Sequence, residues 1–217
     1  MKGKNLKEIR ENGYTIIKNI FTKTECNNYI KDIWKFLENL GSGIKKKDKK
    51  TWLEHPQGNW PSNIYGIIKH YQVGHTDFVW DIRQNPRVIR IFEDLWNDEE
   101  LLVSFDGIGI TKPGSLEENN DYKSWFHVDQ GPGKLGKHCY QSFINLEHTD
   151  EEDSSFMVIE GSHKYHTEMF ENNKYFKDID WYKLKDSDLD FIKSKGLVVK
   201  KLVIPKGAMV VWDSRTI

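Results

Sequence analysis

Cysteine and long apolar segments are both scarce in this chain of 217 residues. Cys26 and Cys139 are its two cysteines, and they lie too far apart to form a C-x-x-C pair. We therefore expect neither a disulfide framework nor a structural zinc site, and a reducing cytoplasmic compartment is the default. No stretch approaches the roughly 18 consecutive apolar residues of a membrane-spanning helix, and no apolar run of signal-peptide length follows Met1. The sequence thus predicts a soluble cytoplasmic protein with no membrane partner.

An excess of charge of either sign is also missing. Lys and Arg together number 32 and Asp and Glu 33, for a net charge of −1. A dedicated nucleic-acid-binding protein would usually show a basic excess, so this balance argues against that class and against a charged polymer as substrate. Hydrophobic residues make up a modest 37%, but the eight Trp and other aromatic residues reach 13%. Large rings can therefore supply much of the core area of a single domain. The oligomeric state stays open.

Helix signals dominate the first hundred residues. A β-branched strand over 13–21 precedes Thr22 and Glu25, which fit a capping box at the start of a helix that Gly41 would end. The pair Asn85-Pro86 predicts the start of a second helix. The predicted buried stripes are Tyr29, Ile30, Ile33, Trp34, Leu37 and Leu40 in the first helix and Val88, Ile89, Phe92, Leu95 and Trp96 in the second.

Strand signals take over from residue 101. Short β-branched or alternating runs, separated by Gly- and Pro-containing turns, predict strands over 101–110, 138–146, 155–159, 197–204 and 208–212. A helical insertion is predicted from about 164 to 195. Helices followed by strands indicate an α+β protein whose second half is a β-sandwich or a jelly roll. We expect one domain over 1–217, with a helical part over about 1–100 and a β core over about 101–217.

His127 and Asp129 are separated by a single residue. In an extended backbone, side chains i and i+2 leave on the same face, so an imidazole and a carboxylate can converge on one metal ion. These are two of the three ligands of the facial triad that holds non-haem Fe(II) in oxygenases. The alternative is a His and an Asp at a polar strand end that bind no metal.

Four motifs in order resemble the phytanoyl-CoA dioxygenase family. They are Trp-x-His-x-Asp-Gln over 125–130, Asn-Leu-Glu over 145–147, the segment 155–164 and the segment 207–217. The resemblance implies a double-stranded β-helix, which is a cupin-like jelly roll, that binds Fe(II) and 2-oxoglutarate. His127 and Asp129 would be the first two iron ligands. The implied reaction uses O2, converts 2-oxoglutarate to succinate and hydroxylates a small-molecule substrate.

The resemblance also suggests residues near the co-substrate. Gln141 and Phe143 lie on the strand after the His-x-Asp loop and share one face, so both side chains can point into the barrel. Lys112 at a preceding strand end is a third candidate. The alternatives are a core role for Phe143 and a turn for Lys112. The other histidines noted in this half, His138, His163 and His166, are expected to be structural.

The family pattern continues beyond Ile217. It requires a second histidine as third iron ligand directly after this residue, and an arginine that anchors 2-oxoglutarate about ten residues further. We therefore expect the sequence to be a fragment whose last barrel strands are missing, with little or no turnover by itself. Arg215 would be either a substitute anion partner or a structural or substrate-side residue.

Two other functions remain open at this point. One is a degenerate jelly roll that binds a ligand or partner without catalysis. The other is a cupin-like metal enzyme that uses His127 and Asp129 without 2-oxoglutarate.

Overall fold

The computed structural model describes residues 1, 3–52, 59–61, 66–111, 125–171 and 179–217. The helices are α1 (Gly3–Asn12), α2 (Lys23–Asn39), α3 (Asp77–Arg83), α4 (Pro86–Trp96), α5 (His166–Phe170) and α6 (Asp186–Ser194). The strands are β1 (Tyr14–Ile17), β2 (Ile67–Ile68), β3 (Ile108–Gly109), β4 (His127–Val128), β5 (Tyr140–Ile144), β6 (Met157–Ile159), β7 (Tyr182–Lys183), β8 (Val199–Lys201) and β9 (Met209–Asp213). Three short 3-10 turns cover Lys49–Thr51, Val73–His75 and Ser162–Tyr165. None of the described helices is long and apolar enough to cross a membrane.

The chain divides into two compact units. The first combines Met1–Ile20 with Leu116–Ile217, and the second is Phe21–Ser115. The boundary therefore differs from the predicted one, because the N-terminal segment with α1 and β1 belongs to the unit that contains most of the strands.

The second unit contains the helices that local signals predicted. The Thr22 hydroxyl accepts from the Glu25 amide while the Glu25 carboxylate accepts from the Thr22 amide, which confirms the capping box of α2. The Asn85 side chain accepts from the Arg87 amide at the start of α4, as predicted. The hydrophobic core of this unit is built from Leu37, Ile68, Val73, Phe78 and Val79.

Two predictions in the second unit are wrong in detail. In the stripe of α4, Ile89 is 39% exposed, whereas Ile91 is 4% exposed and lies in the interior. The strand predicted over 101–110 is limited to β3, and Leu102 lies fully in solvent. Helix α3 was not predicted.

A three-stranded antiparallel sheet in the order β1-β9-β5 forms the centre of the first unit. The register sets Tyr14 and Gln141 on either side of Trp212, and Ile16 and Phe143 on either side of Val210. Cross-strand partners share a face of a sheet. Gln141 and Phe143 therefore lie on one face, as predicted. This face packs on the core of Val158, Leu202, Ile204, Ala208 and Val210.

Two small sheets complete the first unit. Strand β4 pairs with β7, and β6 pairs with β8. The continuous helical insertion predicted over 164–195 is wrong, because β7 separates α5 from α6. A second core around β4 and α6 contains Val128, Ile159, Phe170, Tyr182, Leu184, Ile192 and Ile217.

Helix α1, which was not predicted, is tied to distant segments at its carboxyl end. The carbonyl of Arg10 accepts from His163 Nε2, that of Asn12 from the Gly161 amide, and that of Gly13 from the Thr216 hydroxyl. Gly13 has a φ of +87°, and a Cβ there would lie 2.5 Å from the Thr216 hydroxyl oxygen. Glycine is therefore required at this close approach.

Candidate functional site

His127 and Asp129 come together at the end of β4. The Nε2 atom of His127 lies 3.5 Å from Oδ1 of Asp129, and both side chains are about one quarter exposed, at 26% and 28%. The distance is longer than a good hydrogen bond. A single ion about 2.0–2.2 Å from each donor can touch both atoms.

The backbone sets the tautomer of His127. Its Nδ1 lies 3.0 Å from the carbonyl oxygen of Trp125, which can only accept, so Nδ1 carries the proton. In the tautomer with the proton on Nδ1, the lone pair of Nε2 faces the Asp129 carboxylate. Two acceptors that face each other suit a cation between them. The donor set of imidazole and carboxylate thus fits one half of a non-haem iron site.

Two indole rings lie against the His127 imidazole. The Trp125 ring is stacked on it at 5.1 Å, and the Trp181 ring is tilted at 5.5 Å. Strand pairing brings Trp181 there, because β7, which pairs with β4, starts at the next residue, Tyr182. The rings limit the rotation of the imidazole.

A cavity of about 270 Å³ adjoins Asp129. Its described lining is polar and consists of Asp129, Gln130, Lys134, His138, Cys139, Gln141, Asp180 and Ser214. Lys134 and Asp180 form an ion pair on its wall. The segment that carries Asp180 packs directly on Gly131. Glycine is needed at this contact, because a Cβ there would lie 1.7 Å from the carbonyl oxygen of Ile179.

The predicted co-substrate residues lie in different surroundings. Gln141 lines the same cavity as Asp129, and its Oε1 atom is buried without a hydrogen-bond partner among the described residues. Phe143, two residues further along β5, packs on the rings of Phe156 at 5.6 Å and Trp212 at 6.0 Å. Lys112 lies outside the described residues. The structure therefore brings Gln141 to Asp129 and assigns Phe143 to a cluster of aromatic side chains.

The three histidines that were expected to be structural are hydrogen-bonded to backbone carbonyls. His138 Nε2 lies 2.9 Å from the Leu135 oxygen, His163 Nε2 lies 3.1 Å from the Arg10 oxygen, and His166 Nε2 lies 2.7 Å from the Gln130 oxygen. Burial lowers the pKa of both His163 and His166, so the neutral ring is favoured in each. These contacts agree with the structural roles expected of them.

Arg215 is engaged inside the protein. Its guanidinium bonds both carboxylate oxygens of Asp213. This ion pair favours the structural role for Arg215.

Within the described ranges, no group of three or more His, Cys, Asp and Glu side chains could hold a metal ion. The assignment of His127 and Asp129 as metal ligands stays a prediction.

Several residues at the cavity were not predicted as site residues. For Gln130, the one local indication of a role at the site is its position directly after the His-x-Asp motif. Lys134 and Asp180 pair across 46 residues of sequence. The Ser214 carbonyl, which accepts from the Gln130 amide, likewise comes from a distant segment that follows β9. No pattern in the chain marks these long-range pairings.

Comparisons with known proteins agree on one family. The profile of the phytanoyl-CoA dioxygenase (PhyH) family matches residues 9–217. Among curated proteins, Ava biosynthesis cluster protein O of Aspergillus versicolor is 29% identical over 219 residues, which cover 97% of this chain and 69% of the relative. The chain spans about two thirds of the length of the curated relatives that it matches.

Solved structures agree on the fold. The α-ketoglutarate-dependent carbocyclase SnoK from nogalamycin biosynthesis superposes with a TM-score of 0.65 at 15% identity, covering 100% of this chain and 76% of SnoK. EctD from S. alaskensis, in a crystal with 2-oxoglutarate and 5-hydroxyectoine, gives a TM-score of 0.59 at 14% identity, covering 100% of this chain and 68% of EctD. These likenesses confirm the predicted α+β fold with a cupin-like jelly-roll core flanked by helices.

Proposed function

The chain belongs to the phytanoyl-CoA dioxygenase family, and we propose that it forms part of an Fe(II)- and 2-oxoglutarate-dependent oxygenase that hydroxylates a small molecule. The observation that carries the proposal is the geometry of one pair. His127 Nε2 faces the Asp129 carboxylate at 3.5 Å while Nδ1 is bound to a backbone carbonyl. A metal-ligating histidine is usually oriented through its other ring nitrogen in this way.

Each predicted site residue has a proposed role. His127 and Asp129 hold the iron. Gln141 lies beside the co-substrate, with its buried amide available to a bound molecule, and Phe143 supports the strand from the aromatic cluster behind it. Lys112 stays a candidate on the co-substrate side. When bound, Fe(II) with 2-oxoglutarate and O2 supplies the oxidation of a substrate C–H bond, with succinate and CO2 as by-products.

The residues of this chain contribute position and shelter. The carbonyl of Trp125 keeps the proton on Nδ1 of His127, so that Nε2 can bind a cation. The rings of Trp125 and Trp181 cover the imidazole and keep water from part of its surface. A third protein ligand would come from outside the described residues. The proposed substrate is a small molecule, as in the EctD crystal with 5-hydroxyectoine.

The direct test is an anaerobic titration of the chain with Fe(II) and 2-oxoglutarate, followed by succinate release after O2 is admitted. We expect a visible charge-transfer band that His127→Ala abolishes. The matched control is His148→Ala, which removes an exposed histidine that does not line the described cavity. Loss of the band in both variants would contradict the assignment of His127.

The same experiment separates the alternatives. A non-catalytic jelly roll would show no band, which separates it from the proposed oxygenase even where turnover is low. A cupin-like enzyme without 2-oxoglutarate would bind metal through His127 but give no band that depends on the ketoacid. The expectation that residues 1–217 alone have little turnover stays a prediction, and the succinate assay tests it.

A further inference from the structure

The Gln130 side chain uses both of its hydrogen-bond donors and also accepts one hydrogen bond. It is 3% exposed. Its Nε2 donates to the carbonyl oxygens of Lys134 and Gly136, both at 2.5 Å, and its Oε1 accepts from the His138 amide at 3.1 Å. Carbonyls can only accept and an amide N–H can only donate, so the orientation of the side chain is fixed. This one side chain therefore closes the turn over 131–138.

The backbone of Gln130 is held by two other segments. Its N–H donates to the carbonyl of Ser214 at 2.9 Å, directly after β9. Its carbonyl accepts from Nε2 of His166 at 2.7 Å, at the start of α5. The His166 side chain is fully buried. Two segments that are distant in sequence therefore fix the peptide groups on both sides of Gln130.

Asp129, the preceding residue, depends on this anchoring. Within the described part of the chain, its carboxylate has one recorded polar contact, which is His127 Nε2 at 3.5 Å. No hydrogen bond from a neighbouring side chain is recorded that would orient it. Its position is therefore set by the backbone, and the peptide that follows it is held by the Gln130 side chain together with Ser214 and His166.

We propose that Gln130 is a positioning residue that holds the Asp129 carboxylate against the His127 imidazole. This inference rests on the proposed metal site, and it extends that site to a residue that does not bind the metal. Partners of this kind typically change metal affinity about 10- to 100-fold when they are removed. Gln130 would act through the backbone rather than through a direct bond to the ligand.

Gln130→Glu is the sharpest variant. Glutamate keeps the size of the side chain and the acceptor for the His138 amide, but it sets an oxygen against the Lys134 and Gly136 carbonyls. Two acceptors at this distance repel each other, so the turn opens.

Asn145→Asp is the matched control. The Nδ2 atom of Asn145 also donates to two carbonyls, those of Glu147 at 2.5 Å and Ile204 at 2.8 Å. Asn145 lies just past the other end of β5 and does not line the cavity beside Asp129. It therefore reproduces the chemical change without touching the proposed site.

The experiment titrates Co(II), as an air-stable probe, into the unaltered chain and both variants by calorimetry, and records thermal unfolding of the metal-free proteins. Both substitutions should lower the melting temperature. Only Gln130→Glu should also weaken Co(II) binding, by about tenfold or more. Hydrogen exchange over 131–138 should accelerate in this variant and not in Asn145→Asp. Should Gln130→Glu fail to fold, Gln130→Met, which removes the hydrogen bonds without adding charge, takes its place with the same expectations.

The outcomes are distinguishable. Equal Co(II) affinity in the unaltered chain and the Gln130 variant would overturn the positioning role and leave the metal site intact. Equal weakening by Asn145→Asp would overturn it as well, because the effect would then follow stability alone. No Co(II) binding by the unaltered chain would overturn the metal site itself, and the inference with it.

Discussion

Arg215 and Asp213 form a bidentate ion pair that is nearly withdrawn from water. Nε of Arg215 lies 2.8 Å from Oδ1 of Asp213, and its second terminal nitrogen lies 2.6 Å from Oδ2. The exposed fractions of the side chains are 18% for Arg215 and 4% for Asp213. Removing the arginine side chain would leave the buried carboxylate bonded to the amide of residue 215 but without a counter-charge, which is costlier than never burying the pair.

We expect Arg215→Met to lower the free energy of unfolding by about 3 kcal/mol. The chain offers a matched control in the pair of Arg87 and Glu25, which also engages two oxygens but is 43% and 36% exposed. Arg87→Met should cost less than about 1 kcal/mol, because water screens this pair. Urea unfolding of the three proteins measures the difference. Equal losses would show that burial does not set the strength of the Arg215 pair.

A second prediction concerns His163 and acid. Burial lowers its pKa from the ordinary value of 6.5, while the hydrogen bond to Arg10 and the nearby Asp213 oppose the shift. The unfolded chain therefore takes up a proton that the folded protein resists. Stability should be full above about pH 6.5 and fall as the pH drops through the folded-state pKa.

The test is the free energy of unfolding between pH 7.5 and pH 5, measured for the unaltered chain and for His163→Gln. Glutamine cannot titrate, so the variant should lose part of the slope even though it is less stable throughout. An unchanged slope would show that His163 does not contribute. His148→Gln, at an exposed position, controls for the removal of a histidine as such.

Local signals in the sequence predicted local structure correctly. The capping box of Thr22 and Glu25 and the Asn85-Pro86 start depend on contacts within four residues, so they can be read from sequence alone. The shared face of Gln141 and Phe143 follows from the two-residue period of a strand. Helix α1 also has a local helix signal, the Lys4–Glu8 and Lys7–Glu11 pairs at i,i+4 spacing.

The polar surroundings of Asp129 depend on long-range packing. Strand β7 has only two residues, and its partner β4 lies more than 50 residues earlier. The sequence around it therefore predicted one continuous helical insertion instead of a strand. The ion pair of Lys134 and Asp180 and the anchoring of Gln130 by His166 likewise join separate segments. Tertiary contacts decide such positions, and local patterns in a single sequence do not reveal them.

A third prediction tests the close approach at Gly131. A Cβ at this position would lie 1.7 Å from the carbonyl oxygen of Ile179, which is backbone and cannot rotate away. Gly131→Ala should therefore displace the segment that carries Asp180 or the turn that follows Gln130. We expect a lower melting temperature and weaker Co(II) binding. Gly109→Ala is the control, because a Cβ there has no atom within 4 Å, and it should change neither quantity. Full Co(II) affinity in Gly131→Ala would show that the 179–180 segment is not needed to hold the site.

The last prediction concerns Glu25, whose pKa the Arg87 guanidinium and the Thr22 amide lower from 4.5 to about 2. The folded-state value lies below the unfolded one, so the pair contributes stability above about pH 4.5 and loses it as the pH falls toward 2. Because both side chains are well exposed, the contribution should stay below about 1 kcal/mol.

The carboxyl carbon resonance of Glu25, followed by NMR from pH 6 to pH 2, should show the low pKa directly. Because the hydrogen bond from Arg87 is the largest cause of the shift, Arg87→Met should return the pKa most of the way to its usual range, and the hydrogen bonds from Thr22 should retain the rest. The difference in melting temperature between the unaltered chain and Glu25→Gln should shrink over the same pH interval. A Glu25 titration that is unaffected by Arg87→Met would mean that the helix cap alone holds the carboxylate, since the ion pair would then add nothing in solution.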